Sequence, residues 1–157
     1  MLFGMEHSRV WRVAATGMAL ALVATSLLSA RAEPSIEELK GRAANALIAD
    51  RPALCIRISE RELGEADRLY VAGDSEKAQA ALADVVAYSE LARDYAIQAH
   101  KHEKQSEIAI RKMARKLADI KHTVSHEDQE QIQNTVDRLQ QIRDDLLAAM
   151  FPKGGKK

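Results

Sequence analysis

The sequence predicts an all-α protein of elongated helical hairpins, with about four helices and coiled-coil-like antiparallel packing. Apolar residues recur at a spacing of three and four over most of the chain after residue 33, and no window alternates with a period of two. Proline occurs only at positions 34, 52 and 152. Aromatic residues make up 4% of the chain, so its core must consist mainly of Ala, Leu, Ile, Val and Met.

Residues 1–32 have the pattern of a cleaved secretory signal peptide. Arg9 and Arg12 provide a positively charged start, and residues 13–28 carry no charge. The small residues of an A-x-A-like cleavage site are Ala30 and Ala32. The pattern predicts export to the periplasm or to the extracellular space, with no stable membrane span after processing.

An inner-membrane anchor formed by uncleaved residues 13–30 is the alternative fate of this leader. The stretch lies at the lower limit of a membrane span, which needs about 20 apolar residues. It is rich in Ala, Thr, Ser and Gly and therefore only weakly apolar. This composition favours processing over anchoring.

The charge balance argues against a nucleic-acid partner. The chain has 23 Lys+Arg and 23 Asp+Glu, and residues 1–32 hold three of the arginines and one glutamate, which leaves a net charge of −2 after cleavage. Binding to phosphates needs an excess of basic residues that release counterions. We therefore expect no nucleic-acid binding.

Two helices are predicted at the start of a single helical domain spanning residues 33–150. Ser35 and Glu38 form a capping-box pattern, and the first helix is expected to continue to about residue 49. Pro52 lies in the first turn of the second helix, where its missing N–H costs nothing. Gly73 marks the end of that helix.

The third predicted helix begins at a cap formed by Asp74 or Ser75. Its apolar register continues across the polar residues 100–107. It is therefore either one helix of about 48 residues, roughly 70 Å long, or two stacked helices with a kink at residues 100–107. Such a length is typical of coiled-coil packing.

The last helix is predicted to begin after the cap Ser125 and to fold back on the preceding one, which gives hairpins over residues 52–99 and 108–150. Eleven apolar residues at helical spacing are expected to form the seam between helices: Leu82, Val85, Ile110, Met113, Leu117, Ile120, Ile132, Val136, Leu139, Ile142 and Leu146.

Residues 151–157 have the composition of a flexible basic tail. Phe151 and the three tail lysines permit weak contact with lipid. Three lysines contribute at most about 3 kcal/mol near an anionic surface, so the tail alone does not anchor the protein.

The stretch from Ala66 to Leu82 resembles one tetratricopeptide-type helical hairpin. The matching residues are Ala66, Leu69, Tyr70, Gly73, Asp74, Glu76, Lys77, Ala78 and Leu82. In that family the glycine makes the tight turn and the small residues allow close helix approach. The resemblance implies a hairpin used in protein–protein contact. It departs from the family at Glu62, Glu65 and Glu90, and no second copy is present at the repeat period.

No residue pattern points to catalysis, a metal or a cofactor. The sequence has no glycine-rich phosphate loop and no H-E-x-x-H or G-x-S-x-G motif. His102, Glu103 and Glu107 lack the i,i+4 His–carboxylate spacing of metal sites in helical bundles, and the charged stretch around them is typical of a solvated face. The single Cys55 is expected to be buried, with an intermolecular disulfide as the alternative.

Two function classes fit these observations. The first is an exported, non-enzymatic helical scaffold or interaction module of the cell envelope, which acts on a protein partner or by self-association. The second is a periplasmic chaperone-like or stress-adaptor protein that holds unfolded clients.

Overall fold

Five α-helices make up most of residues 33–152, the range that the computed structural model describes. They are α1 (Ile36–Asn45), α2 (Arg51–Val71), α3 (Ser75–Ala99), α4 (Glu103–Lys121) and α5 (His126–Met150). This range contains no strand, and the predicted all-α class is confirmed. The predicted signal peptide with Ala30 and Ala32, the alternative anchor and the lysines of the tail lie outside the described residues.

Helices α1, α3 and α5 begin at the caps that the sequence predicts. The Ser35 hydroxyl accepts a hydrogen bond from the Glu38 amide at 3.1 Å, and the Glu38 carboxylate accepts one from the Ser35 amide at 3.3 Å. At the starts of α3 and α5, the side chains of Asp74 and Ser125 each accept a hydrogen bond from the backbone amide three residues later. Helix α1 ends at Asn45 and not near residue 49, because the backbone becomes extended at Ala46.

The expected long central helix is interrupted between α3 and α4. His100 and His102 adopt left-handed backbone conformations, with φ of +50° and +64°. The Lys101 amide donates to the Ala96 carbonyl at 3.1 Å, which closes the end of α3. The structure therefore has five helices where about four were expected, because the third predicted helix is divided into two within residues 100–107, where a kink was the predicted alternative.

The chain reverses at this junction, so that residues 51–150 form two antiparallel hairpins. In the first hairpin, α2 and α3 are joined by a hydrogen bond from Arg51 near the start of α2 to Tyr95 near the end of α3, at 3.3 Å. In the second hairpin, Arg143 near the end of α5 donates to Glu107 near the start of α4, at 2.7 Å.

The two hairpins pack side by side with α3 next to α5 and α2 next to α4. Ser75 at the start of α3 donates to Asp128 at the start of α5, at 2.9 Å. Arg93 donates to Asp145 near the other end of both helices, at 2.8 Å. These two contacts show that α3 and α5 are parallel, and the four helices α2–α5 form a bundle.

The eleven predicted seam residues all lie in the main core of this bundle, and each is at most 6% exposed. Helix α1 packs outside the bundle, mainly on α2. It contributes Leu39 and Ala43 to a second, smaller core with Ile58.

Gly73 and Gly64 provide a matched test of the turn between α2 and α3. Gly73 has φ of +78°. Gly64 lies inside α2, and no side chain or other helix lies within 4 Å of the place that an alanine methyl group would take. Gly73→Ala should destabilise the fold by about 1–2 kcal/mol, because an L-residue strains the left-handed conformation. Gly64→Ala should stabilise it by about 0.5–1 kcal/mol. Urea denaturation measures both, and effects of equal sign would contradict this turn.

Candidate binding surface

Most of the large apolar side chains are buried, so they offer little exposed apolar surface for binding. The seam residues fill the interior of the bundle. Among residues 33–152, the large apolar side chains that remain exposed lie on four segments, and only the first two are adjacent in sequence: Leu47, Ile48, Val71, Leu91 and Phe151. A binding surface must therefore be sought where apolar and charged groups come together in a concave region.

One such region is a groove between α4 and α5 of the second hairpin. Its volume is about 380 Å³. Its floor is formed by Ala114, Ala118, Val136 and Leu139, and its rim by Arg111, Arg115, Gln140, Arg143 and Asp144. The short side chains of the two alanines leave open space above the floor. We call this region the α4–α5 groove.

A buried carboxylate positions two of the rim arginines. Glu107 is only 7% exposed. Arg143 donates to it from α5 at 2.7 Å, and the Arg111 Nε lies 3.6 Å from the same oxygen. The sequence placed Glu107 on a solvated face, and this interpretation is wrong because the two arginines compensate its charge at the helix–helix contact.

The two flanks of the groove carry opposite charge. Helix α4 has more exposed or half-exposed basic than acidic residues: Lys104, Arg111, Lys112, Arg115, Lys116 and Lys121 against Glu103 and Asp119. Helix α5 has more acidic than basic ones: Glu127, Glu130, Asp137, Asp144 and Asp145 against Arg138 and Arg143. Arg111 and Arg115 line the α4 side of the groove and Asp144 lines its α5 side. Glu130, Asp137 and Asp144 are spaced by seven, which places them on one side of the helix. The α4 flank is therefore basic and the α5 flank acidic, with the apolar floor between them.

A second ionic cluster connects α1 to the first hairpin. The Lys40 ammonium donates to Asp84 at 3.1 Å and lies 3.2 Å from a carboxylate oxygen of Glu62. It also lies 5.6 Å from the centre of the Tyr88 ring. Burial raises the pKa of Glu62 despite the Lys40 cation. Burial alone would lower the pKa of Lys40, but its bonds to Asp84 and Glu62 raise it.

A third buried acid joins the two hairpins. Asp128 accepts hydrogen bonds from Ser125 at 2.7 Å, Ser75 at 2.9 Å and Gln79 at 3.2 Å. These hydrogen bonds hold the pKa of Asp128 below its usual value, and the bond from Ser125 has the largest effect. Burial and the nearby Asp128 carboxylate raise the pKa of Tyr70 to about 12. These groups hold helices together and are not arranged around an open cavity.

Cys55 is buried, as the sequence predicts. Burial raises the pKa of its thiol to about 11, so the nucleophilic thiolate is scarce at neutral pH. The thiol lies at a small cleft of about 190 Å³ that is also lined by Tyr88, Leu91 and Tyr95. Its burial disfavours an intermolecular disulfide.

The four histidines of residues 33–152 are divided between two helix junctions. His100 and His102 lie at the α3–α4 junction, and the His100 ring is 3.8 Å from Glu103. His122 follows α4 and His126 begins α5. Within residues 33–152, no three His, Cys, Asp or Glu side chains are grouped so that they could hold a metal ion.

None of the helices in the described range combines the length and apolarity needed to cross a membrane. The chain matches no protein-family model, no curated protein and no solved structure.

Proposed function

We propose that this protein is an exported, non-enzymatic helical scaffold of the cell envelope that acts through protein contacts, and that the α4–α5 groove is its contact surface. The observation that carries the proposal is the groove itself, with its apolar floor and charged rims. Export is inferred from the leader pattern of residues 1–32.

The composition of the groove suits a protein partner. Protein interfaces combine an apolar centre with a polar rim, and arginine is enriched among their energetically important residues. Three arginines and no aromatic side chain line this groove. Enzyme and cofactor pockets are usually deeper and lined with aromatic groups. The resemblance of residues 66–82 to a tetratricopeptide-type hairpin also favours protein contact.

The proposal can be tested by in-cell crosslinking of the full chain, produced with its own leader in its native cell. Ala118→Tyr fills the groove from an exposed position and leaves the core unchanged. Ala83→Tyr makes the same change at an exposed position of α3 and serves as the control. We expect Ala118→Tyr to remove the main crosslinked species and Ala83→Tyr to leave it in place. Crosslinks unaffected by Ala118→Tyr would refute the groove as contact surface.

The same experiment addresses the chaperone-like alternative. A holding chaperone would crosslink to many unfolded or outer-membrane proteins, and one filled groove would not remove them all. A defined crosslinked species that depends on the groove would instead support the scaffold.

A further inference from the structure

We infer that the occupant of the α4–α5 groove is the same groove of a second copy of this chain, in a two-fold symmetric dimer with α4 of each copy against α5 of the other. This inference rests on the proposed function, because it names the partner of the same surface. The groove is self-complementary in charge, which is the property that a two-fold interface requires.

The opposite charges of the two flanks select the direction of the symmetry axis. An axis parallel to the helices brings the basic α4 flank of each copy against the acidic α5 flank of the other. An axis perpendicular to the helices brings α4 against α4 and therefore basic residues against basic residues. Like charges facing each other across an interface are costly, so only the parallel arrangement is favourable.

The position of each charge along the helix axis, here called its level, determines which residues of the two copies face each other. Two contacts fix these levels: Glu107 with Arg143 at 2.7 Å, and Lys121 with Gln133 at 2.7 Å. Interpolation between them places Arg115 level with Asp137. Since an axis parallel to the helices preserves levels, Arg115 of each copy meets Asp137 of the other.

The groove floor permits this approach. Ala114 and Ala118 are short, and they stand one helical turn apart on α4. Two small residues at this spacing let a second helix come close. Arg111 and Arg143 are directed to their own Glu107. By contrast, Arg115 has no ion-pair partner within the described residues.

A partner of a single charge sign fits this surface less well. A uniformly acidic helix would be attracted to the α4 flank but repelled by Glu130, Asp137 and Asp144 on the α5 flank. A basic helix would meet the opposite difficulty. A second copy satisfies both flanks at once.

Sedimentation equilibrium tests the inference on the exported protein purified from its native envelope. We expect a dimer at low salt that weakens at high salt, because exposed ion pairs are screened. Arg115→Glu should raise the dimer Kd by about ten-fold, since two symmetric pairs change from attraction to repulsion. Adding Asp137→Arg to that variant should restore the affinity, because the two charges of the pair are then swapped and attract each other again. The control Arg57→Glu makes the same charge reversal on an exposed site of α2 and should leave Kd unchanged.

Three outcomes overturn the dimer. They are a monomer at all concentrations, a dimer insensitive to Arg115→Glu, and a weakened dimer that Asp137→Arg does not restore. If the protein is monomeric but Ala118→Tyr still removes its crosslinks, the dimer is refuted and the scaffold proposal stands. If Ala118→Tyr also has no effect, both proposals are refuted.

Discussion

Replacing Leu117 by Asp should abolish cooperative folding of the bundle. Leu117 is fully buried in the main core. Removal of a buried leucine side chain alone costs about 2–5 kcal/mol, and an unpaired buried carboxylate adds a desolvation cost. The total stability of a domain is typically about 5–15 kcal/mol. We therefore expect the thermal transition followed by circular dichroism to disappear or to move to a much lower temperature.

An exposed residue of the same helix outside the groove provides the control for this variant. Lys112 is exposed on α4, so Lys112→Asp should cost less than about 1 kcal/mol, mostly through helix propensity. Leu139→Asp, a buried leucine on α5, should behave like Leu117→Asp. Wild-type melting of either leucine variant would mean that the helix is rotated relative to the described register.

Replacing Lys40 by Met should release α1 from the bundle. The substitution leaves the Glu62 carboxylate, 7% exposed, without its cation. Breaking a buried ion pair by removing one partner costs about 3–5 kcal/mol, and we expect the lower end because Lys40 is a quarter exposed. Hydrogen exchange should show loss of amide protection in α1 and retained protection in α2–α5.

The same variant should change the pH dependence of stability. The pKa of Glu62 is raised in the folded state by burial. Such a group contributes stability that is present below its unfolded pKa and lost as the pH rises through its folded pKa. Without Lys40 this rise in pKa should be larger, so Lys40→Met should lose more stability than the wild type between acidic and neutral pH.

A double variant tests whether the unpaired Glu62 carboxylate causes the loss of stability. Lys40→Met with Glu62→Met replaces both charges by apolar groups of similar length, which is often neutral or stabilising. It should recover protection of α1 and remove the added pH dependence. If the double variant is as unstable as Lys40→Met, the unpaired carboxylate is not the cause.

The spacing of apolar residues predicted the core more fully than the path of the chain. All eleven seam residues are buried, because helical periodicity depends only on which side of a helix faces the interior. The same periodicity extends across residues 100–107 and gave no indication of a reversal. The turn is made by His100 and His102 in left-handed conformations, and histidine does not mark such a position as glycine does at Gly73.

The buried acids could not be recognised from local sequence. Glu62, Glu107 and Asp128 have the local pattern of surface residues because charged groups are normally solvated. Each has at least one partner that is distant in the chain: Lys40 for Glu62, Arg143 for Glu107, and Ser75 for Asp128. The opposite charges of the α4 and α5 flanks were present in the sequence, and the antiparallel pairing of the two helices was predicted, but the register that sets individual charges side by side was not.

The short connections between helices have a consequence for folding kinetics. Three residues join α2 to α3, three join α3 to α4, and four join α4 to α5. Antiparallel neighbours connected in this way make contacts that are close in sequence, so the relative contact order is low and little loop-closure entropy is lost before packing begins. Helical domains of this kind fold in microseconds to milliseconds. Each hairpin can therefore close on its own, and the pairing of α3 with α5 and of α2 with α4 becomes the slower, non-local step.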